Sequence, residues 1–128
     1  MSFYRFIRER RQYSDELCQQ IEEICTIIQK RAQGIDPRTN KKGSQESQTH
    51  IADAPIALVG QVQSGKTRTY LGVIAHCLDQ DYDFAIVITK NNTALALQTY
   101  QRIINDFSLC DSKHSPIGSR TLRVMKVT

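Results

Sequence analysis

The sequence has no hydrophobic stretch long enough to cross a membrane and no recognisable secretion signal. Its apolar runs fall well short of the roughly 20 residues that a spanning helix needs. At the N-terminus, Arg5 and Arg8 interrupt the apolar residues, so the continuous core of a signal peptide is absent. These absences predict a cytoplasmic protein that does not associate with membranes.

The few cysteines lack the spacing of a metal site or a redox motif, because no pair is arranged as Cys-x-x-Cys. Cys18 and Cys25 are seven residues apart in a predicted helix. That spacing separates them by about 10 Å along the helix axis, which is too far for a disulfide. We predict reduced thiols, with neither a disulfide framework nor a zinc site, at Cys18, Cys25, Cys77 and Cys110.

Apolar residues are nearly missing between Gly34 and His50, and this gap divides the chain. The segment is rich in polar residues and in glycine, which is typical of an exposed linker. Before it, from Leu17 to Ile28, apolar residues recur at alternating steps of four and three, as on one face of a helix. We predict a helical appendage at residues 1–33, a flexible linker at 34–50 and the first, incomplete part of a nucleotide-binding domain at 51–128.

Positive charge is in modest excess, with 17 basic and 13 acidic residues in a chain of 128. A net charge of +4 permits a nucleic-acid partner without requiring one. The opening residues mix arginines with aromatic side chains, so they could bind a phosphate backbone or dock on the protein. We favour docking, with Phe3, Phe6 and Ile7 buried and the arginines facing water.

The most informative stretch is Gly-Gln-Val-Gln-Ser-Gly-Lys-Thr, which fits the phosphate-binding P-loop pattern G-x-x-x-x-G-K-[ST]. It follows an apolar run and precedes a helical pattern, as the motif requires. The loop amides and the helix N-terminus can surround a phosphate. Lys66 can reach the β- and γ-phosphates, and the Thr67 hydroxyl can bind Mg²⁺. The predicted nucleotide-binding residues are Gly60, Gln61, Val62, Gln63, Ser64, Gly65, Lys66 and Thr67.

Apolar runs and helical patterns alternate through the second half of the chain. The apolar runs predict two buried parallel strands, at Ile56–Val59 and Phe84–Thr89. Between them, a helix is predicted from Gly65 to about Leu78. Asn92 or Thr93 can cap a further helix that ends near Phe107, and a third strand is expected near residues 122–127. This order predicts an α/β fold, in which helices flank a partial parallel sheet.

A second acidic motif, an apolar strand ending in Asp, is missing. Thr89 and Lys90 follow the apolar run at Phe84, and no catalytic glutamate or arginine finger can be identified. We therefore expect the chain to be the amino-terminal part of a larger ATPase. By itself it should bind nucleotide weakly and hydrolyse almost none.

Two further stretches, Tyr-Asp-Phe-Ala-Ile-Val-Ile-Thr and Leu95-x-x-Gln98-Thr99-x-x-Arg102, join the P-loop in a family resemblance. Together they resemble superfamily-two helicase-like P-loop ATPases, and most closely the branch of ATPase-coupled endonucleases that act in restriction and phage defence. The resemblance covers roughly residues 56–104. One departure is the sequence after the second strand, which lacks the Pro-Thr that is usual in helicases.

The resemblance implies a RecA-like ATPase domain that binds ATP and Mg²⁺ in a DNA motor or restriction-type endonuclease. A second ATPase lobe or a partner subunit would complete the catalytic site, with Lys66 and Thr67 as this chain's contribution. It also implies contacts to the nucleic-acid backbone. The candidate contacts are Lys90, Asn91, Thr93, Gln98 and Arg102.

Two alternatives to the motor are open. One is a P-loop kinase that phosphorylates a small molecule, although Lys90, Asn91 and Asn92 stand where such an enzyme needs a substrate lid and acidic residues. The other is a nucleotide-sensing module without hydrolysis, which would use the Leu17–Ile28 helix to bind a partner. Tight nucleotide binding without further subunits would favour the sensing module.

Overall fold

The computed structural model describes residues 2–44, 56–58, 65–80, 82–89, 92–107 and 124. Within these residues the chain is mainly helical. Its elements are α1 (Phe3–Arg10), α2 (Asp15–Ala32), β1 (Ile35–Asp36), β2 (Lys41–Lys42), α3 (Lys66–Leu78) and α4 (Thr93–Phe107). They belong to two compact units, of which the first comprises Met1–Ser14 and Ile74–Thr128 and the second comprises Asp15–Val73.

The predicted parallel sheet of a RecA-like α/β fold is wrong. In the described residues the only sheet is the antiparallel pair β1–β2, and neither residues 56–58 nor residues 82–89 form a strand. Phe84 and Ile86 are each 75% exposed, and Ile88 is 88% exposed, although the prediction buried them on both faces. A strand obtains its hydrogen bonds from neighbouring strands, so an apolar run alone does not produce a sheet.

Helix bounds, in contrast, follow the sequence closely. α3 starts one residue after the predicted Gly65 and ends at the predicted Leu78. At the start of α4, the Asn92 side chain accepts a hydrogen bond from the Leu95 N–H at 3.1 Å, which confirms Asn92 as the cap. These signals are local, because they involve residues within one helical turn.

α2 has the charge pattern that a helix dipole favours. Asp15 and Glu16 lie in its first turn, and Lys30 and Arg31 lie in its last. Gly34, two residues after the helix, has a φ of +75°, which glycine adopts without steric cost. The buried residues of α2 are Ile21 and Cys25, on the predicted apolar face.

Part of the segment predicted as a linker forms a short β-hairpin. Ile35 pairs with Lys42 and Asp36 pairs with Lys41, and β1 lies against α2 within the same compact unit. The Asn40 N–H donates to the Asp36 carbonyl at 2.7 Å, closing the turn. Residues 35–42 therefore have a defined backbone.

α1 packs against α4 and buries the predicted apolar side chains together with Tyr4. Two carboxylates far along the chain hold it in place. Asp79 accepts the N–H groups of Phe3 and Tyr4 at 2.7 and 3.0 Å. Asp106 is fully buried and pairs with Arg11, which follows the helix. The predicted burial of Phe3, Phe6 and Ile7 is thus confirmed, whereas Arg11, which the prediction turned to water, pairs with Asp106 instead.

Candidate phosphate-binding site

The site is described from Gly65 onward, where the chain enters α3. Gly65 is exposed and has a φ of +84°, a conformation that side chains other than glycine rarely adopt. Its carbonyl accepts the first hydrogen bond of the helix, from the Thr69 N–H at 3.2 Å. The Thr69 hydroxyl also donates to this carbonyl, at 3.3 Å. The residue that precedes the helix therefore has a positive φ that glycine adopts without strain, and the P-loop pattern places a glycine at this position.

Lys66 and Thr67 are the first two residues of α3, and both are half-buried. At the start of an α-helix, the first N–H groups have no acceptor within the helix and carry the positive end of its dipole. Both predicted side chains therefore lie where an anion is favoured. The five preceding residues of the motif lie outside the described residues: Gly60, Gln61, Val62, Gln63 and Ser64. Their arrangement around a phosphate stays a prediction.

The charges at the start of α3 are opposite to those at the start of α2. The first turn of α3 contains no acidic residue, and it carries Lys66 and the exposed Arg68. Cations at this end of a helix are unfavourable by some tenths of a kcal/mol each unless an anion offsets them. The first turn of α3 therefore lacks the acidic residues that stabilise the start of α2.

Each of the other helices that the structure describes begins with a side-chain acceptor or an acidic residue that the chain itself supplies. At α1 the Ser2 hydroxyl accepts the Arg5 N–H at 3.0 Å, in addition to the bonds to Asp79. At α3 the corresponding position is Gly65, which has no side chain. The acceptors or acidic residues at the other starts are Ser2 and Asp79 for α1, Asp15 and Glu16 for α2, and Asn92 for α4.

The predicted nucleic-acid contacts are only partly described. Thr93 is the first residue of α4, and Gln98 and Arg102 lie one turn apart on that helix. Thr93 and Gln98 are exposed. The Arg102 Nε donates to Asp106 Oδ2 at 3.1 Å, so part of this guanidinium is used inside the protein. Lys90 and Asn91 lie outside the described residues.

Sequence reasoning missed two residues that organise the first compact unit, Asp79 and Asp106. The spacing of Arg102 and Asp106 is a recognisable i, i+4 pair that could have been found. The bonds from Arg11 to Asp106 and from Phe3 to Asp79 join residues 95 and 76 positions apart, and no local pattern indicates them.

No group of three or more His, Cys, Asp or Glu side chains within the described ranges could hold a metal ion. Within those ranges Cys18, Cys25 and Cys77 take part in no disulfide, and Cys110 lies outside them. None of the helices that the structure describes is both long enough and apolar enough to span a membrane.

No protein-family model matches the chain, and neither the curated proteins nor the solved structures include a match to it. The family resemblance of the motifs is therefore carried by the residues of the motifs alone.

Proposed function

We propose that this chain binds ATP with Mg²⁺ through residues 60–67, as the nucleotide-binding part of an ATP-dependent enzyme. The main support is the start of α3, where a glycine at φ +84° leads directly into Lys66 and Thr67. The sequence motif requires this combination of backbone and side chains. A turn with two cations and no acid further favours a polyanionic ligand.

The described residues of the motif, Gly65, Lys66 and Thr67, each contribute differently to phosphate binding in this proposal. Gly65 lets the main chain turn without a side chain, and a Cβ added there would have no atom of the described residues within 4 Å. A substitution at Gly65 would thus act through backbone strain rather than through a clash. Lys66 offsets the charge of the β- and γ-phosphates, and the first N–H groups of α3 complete the phosphate contacts.

Thr67 is the residue of this chain that would hold Mg²⁺. Its hydroxyl is an oxygen ligand of the kind that this hard cation prefers, and it lies on the second residue of α3. When bound, Mg²⁺ offsets phosphate charge that develops during transfer of the γ-phosphoryl group. The groups that would activate water are expected from a second ATPase lobe or a partner subunit. A cytoplasmic location accompanies this proposal.

Equilibrium binding of Mg·ATP to the 128-residue chain, followed with a fluorescent ATP analogue and by displacement with ATP, tests the proposal. Lys66→Ala should weaken binding about tenfold or more, since it removes a charge that contacts phosphate. Arg68→Ala is the matched control, because it removes the same charge from the same turn but lies outside the motif. If both variants lost ATP affinity equally, general electrostatic attraction would explain the binding, and the assignment of Lys66 would be contradicted.

Thr67 allows a separate test of the magnesium role. Thr67→Ala should abolish the increase in ATP affinity that Mg²⁺ causes, whereas Thr67→Ser, which keeps the hydroxyl, should preserve it. An alanine variant with unchanged Mg²⁺ dependence would remove Thr67 from the metal site. Turnover by the chain alone should be close to the uncatalysed rate. Robust hydrolysis that Lys66→Ala abolishes would contradict the expectation that further catalytic groups are needed.

The wider assignment, an ATP-driven DNA motor or restriction-type endonuclease, is proposed from the resemblance of the motifs. Its test should avoid Arg102, because reversing that charge beside the buried Asp106 would disturb the fold. Gln98→Ala and Thr93→Ala alter exposed side chains instead. Both should weaken binding of single-stranded DNA several-fold if α4 contacts the backbone. Unchanged affinity in the double variant would exclude this surface.

A further inference from the structure

We propose that the end of α2 and the β1–β2 hairpin form a binding surface for the phosphate backbone of nucleic acid. This basic hairpin, defined as residues 30–43, contains five basic residues and one acidic residue. Its net charge equals that of the entire chain. The basic residues are Lys30, Arg31, Arg38, Lys41 and Lys42.

Three of the cations are exposed to solvent. Arg38 lies in the turn with a side chain that is 91% exposed, and Lys41 and Lys42 form β2 and are also exposed. Among the described residues, no carboxylate forms an ion pair with Lys41 or Lys42. The arginines at the start of the chain differ, since Arg5 pairs with Glu9 and Arg11 with Asp106.

The one acidic residue acts mainly on the shape of the turn. Asp36 accepts the Arg38 N–H at 2.9 Å, and its carbonyl accepts the Asn40 N–H at 2.7 Å. The Arg38 backbone bond holds the pKa of Asp36 below its ordinary value, so the carboxylate is ionised at neutral pH. Arg38 is also 3.5 Å from this carboxylate, but that pair is exposed and therefore weak.

The hairpin holds these cations on a defined backbone. The Gly43 N–H donates to the Gly34 carbonyl at 2.9 Å, next to the Ile35–Lys42 pair. Neighbouring residues of a strand point to opposite faces, so Lys41 and Lys42 extend to the two sides of the ribbon. A backbone that is already ordered loses less conformational entropy when it binds.

The surface fits nucleic acid better than it fits a protein. Protein interfaces depend on buried aromatic or aliphatic residues near their centre, and lysine is depleted there. The exposed residues of the turn and β2 are all polar or charged: Arg38, Thr39, Asn40, Lys41 and Lys42. Cations with neighbouring hydroxyl and amide groups are what phosphate contacts require, and they carry no base specificity.

Binding of a fluorescein-labelled DNA duplex by the full 128-residue chain, measured against salt concentration without nucleotide, tests this surface. Three phosphate contacts predict that the triple variant Arg38→Gln/Lys41→Gln/Lys42→Gln lowers the slope of log affinity against log salt by about 2.7. Between ~50 and ~200 mM salt, the wild type should therefore lose roughly 40-fold more affinity than the variant. Lys41→Arg/Lys42→Arg, which keeps the charge, should retain the wild-type slope.

The matched control is Arg5→Gln/Arg8→Gln/Arg10→Gln, which removes the same charge from α1, with far-UV circular dichroism confirming that each variant is folded. If both triple variants lowered the salt slope equally, net charge alone would explain the binding, and the proposed surface would be overturned. Absence of duplex binding by the wild type at low salt would also overturn it. Displacement of the duplex by polyglutamate at equal charge concentration would indicate an acidic protein partner instead. Lys66→Ala should leave duplex binding unchanged, which separates this proposal from the nucleotide site.

Discussion

Two apolar segments of the first compact unit differ in how far their side chains are buried. α1 buries Phe3, Tyr4, Phe6 and Ile7, whereas Phe84, Ile86 and Ile88 are mostly exposed. A helix satisfies most of its backbone groups by itself, so α1 needs partners only at its ends and along one face. An extended segment must obtain backbone partners from elsewhere, and residues 82–89 pair with no strand among the described residues. Apolar composition thus determines burial only when the backbone is also satisfied.

The ends of α1 show how that requirement is met. Ser2 and Asp79 accept the first N–H groups, and Arg11, just after the helix, pairs with the buried Asp106. Arg102 donates to the second oxygen of the same carboxylate. Two acidic residues from other parts of the chain therefore secure a short helix that would be marginal in isolation.

The sharpest test of this comparison uses the same substitution in both segments. Phe3→Ala should lower the free energy of unfolding by about 3–5 kcal/mol, because Phe3 is only 2% exposed. Phe84→Ala should change it by less than about 0.5 kcal/mol, since the side chain is already in water. Urea unfolding followed by circular dichroism measures both. Equal losses would mean that the two phenylalanines are buried to the same extent.

The next largest effect is expected at the buried carboxylate. Asp106→Asn should destabilise by about 2–3 kcal/mol, because it removes the charge that Arg11 and Arg102 share. The value lies below that of a fully buried pair, since the arginine side chains are 33% and 36% exposed and water partly solvates them. Glu9→Gln, which breaks an exposed pair with Arg5, is the control and should cost only a few tenths of a kcal/mol. If Asp106→Asn lowered the free energy of unfolding as little as Glu9→Gln, the structural role of Asp106 would be contradicted.

A smaller effect is expected at the start of α1. Asp79→Ala removes the acceptor of the Phe3 and Tyr4 N–H groups and should cost about 1–2 kcal/mol. Asp79→Asn keeps an oxygen acceptor and should cost about half as much. Amide hydrogen exchange should accelerate first in residues 3–7, and uniform acceleration across α4 as well would indicate a different role for Asp79.

The smallest change in stability is expected in the exposed segment at residues 84–89, where substitutions should nevertheless reduce the exposed apolar area. Ile86→Thr/Ile88→Thr should leave the free energy of unfolding within about 0.5 kcal/mol of the wild type. The double variant should bind less of a hydrophobic dye, because it removes exposed apolar area. The control is Ile7→Thr, which replaces a fully buried residue and should destabilise strongly. Strong destabilisation by the double variant would show that residues 84–89 pack against the protein in solution.

Local and distant interactions explain which features the sequence predicts. Gly34, Gly65 and Asn92 mark helix ends through contacts within a turn or two, and all three appear where the pattern places them. The parallel sheet depends on pairing between distant segments, for which the apolar run at Phe84 carries no specific signal. Asp79 and Asp106 have the same limitation, since their partners are far away in sequence. At the candidate site, the glycine at the start of α3 is predictable for the same reason, because the motif is contiguous, whereas phosphate binding stays a prediction.

The most direct test of the nucleotide site is a titration of the ¹⁵N-labelled chain with Mg·ATP, followed by amide chemical shifts. We expect saturable changes that are largest from Gly60 to Arg68, together with their loss in Lys66→Ala. Shifts centred on other residues, or none at millimolar nucleotide, would contradict the assignment of this loop and the start of α3 to phosphate binding.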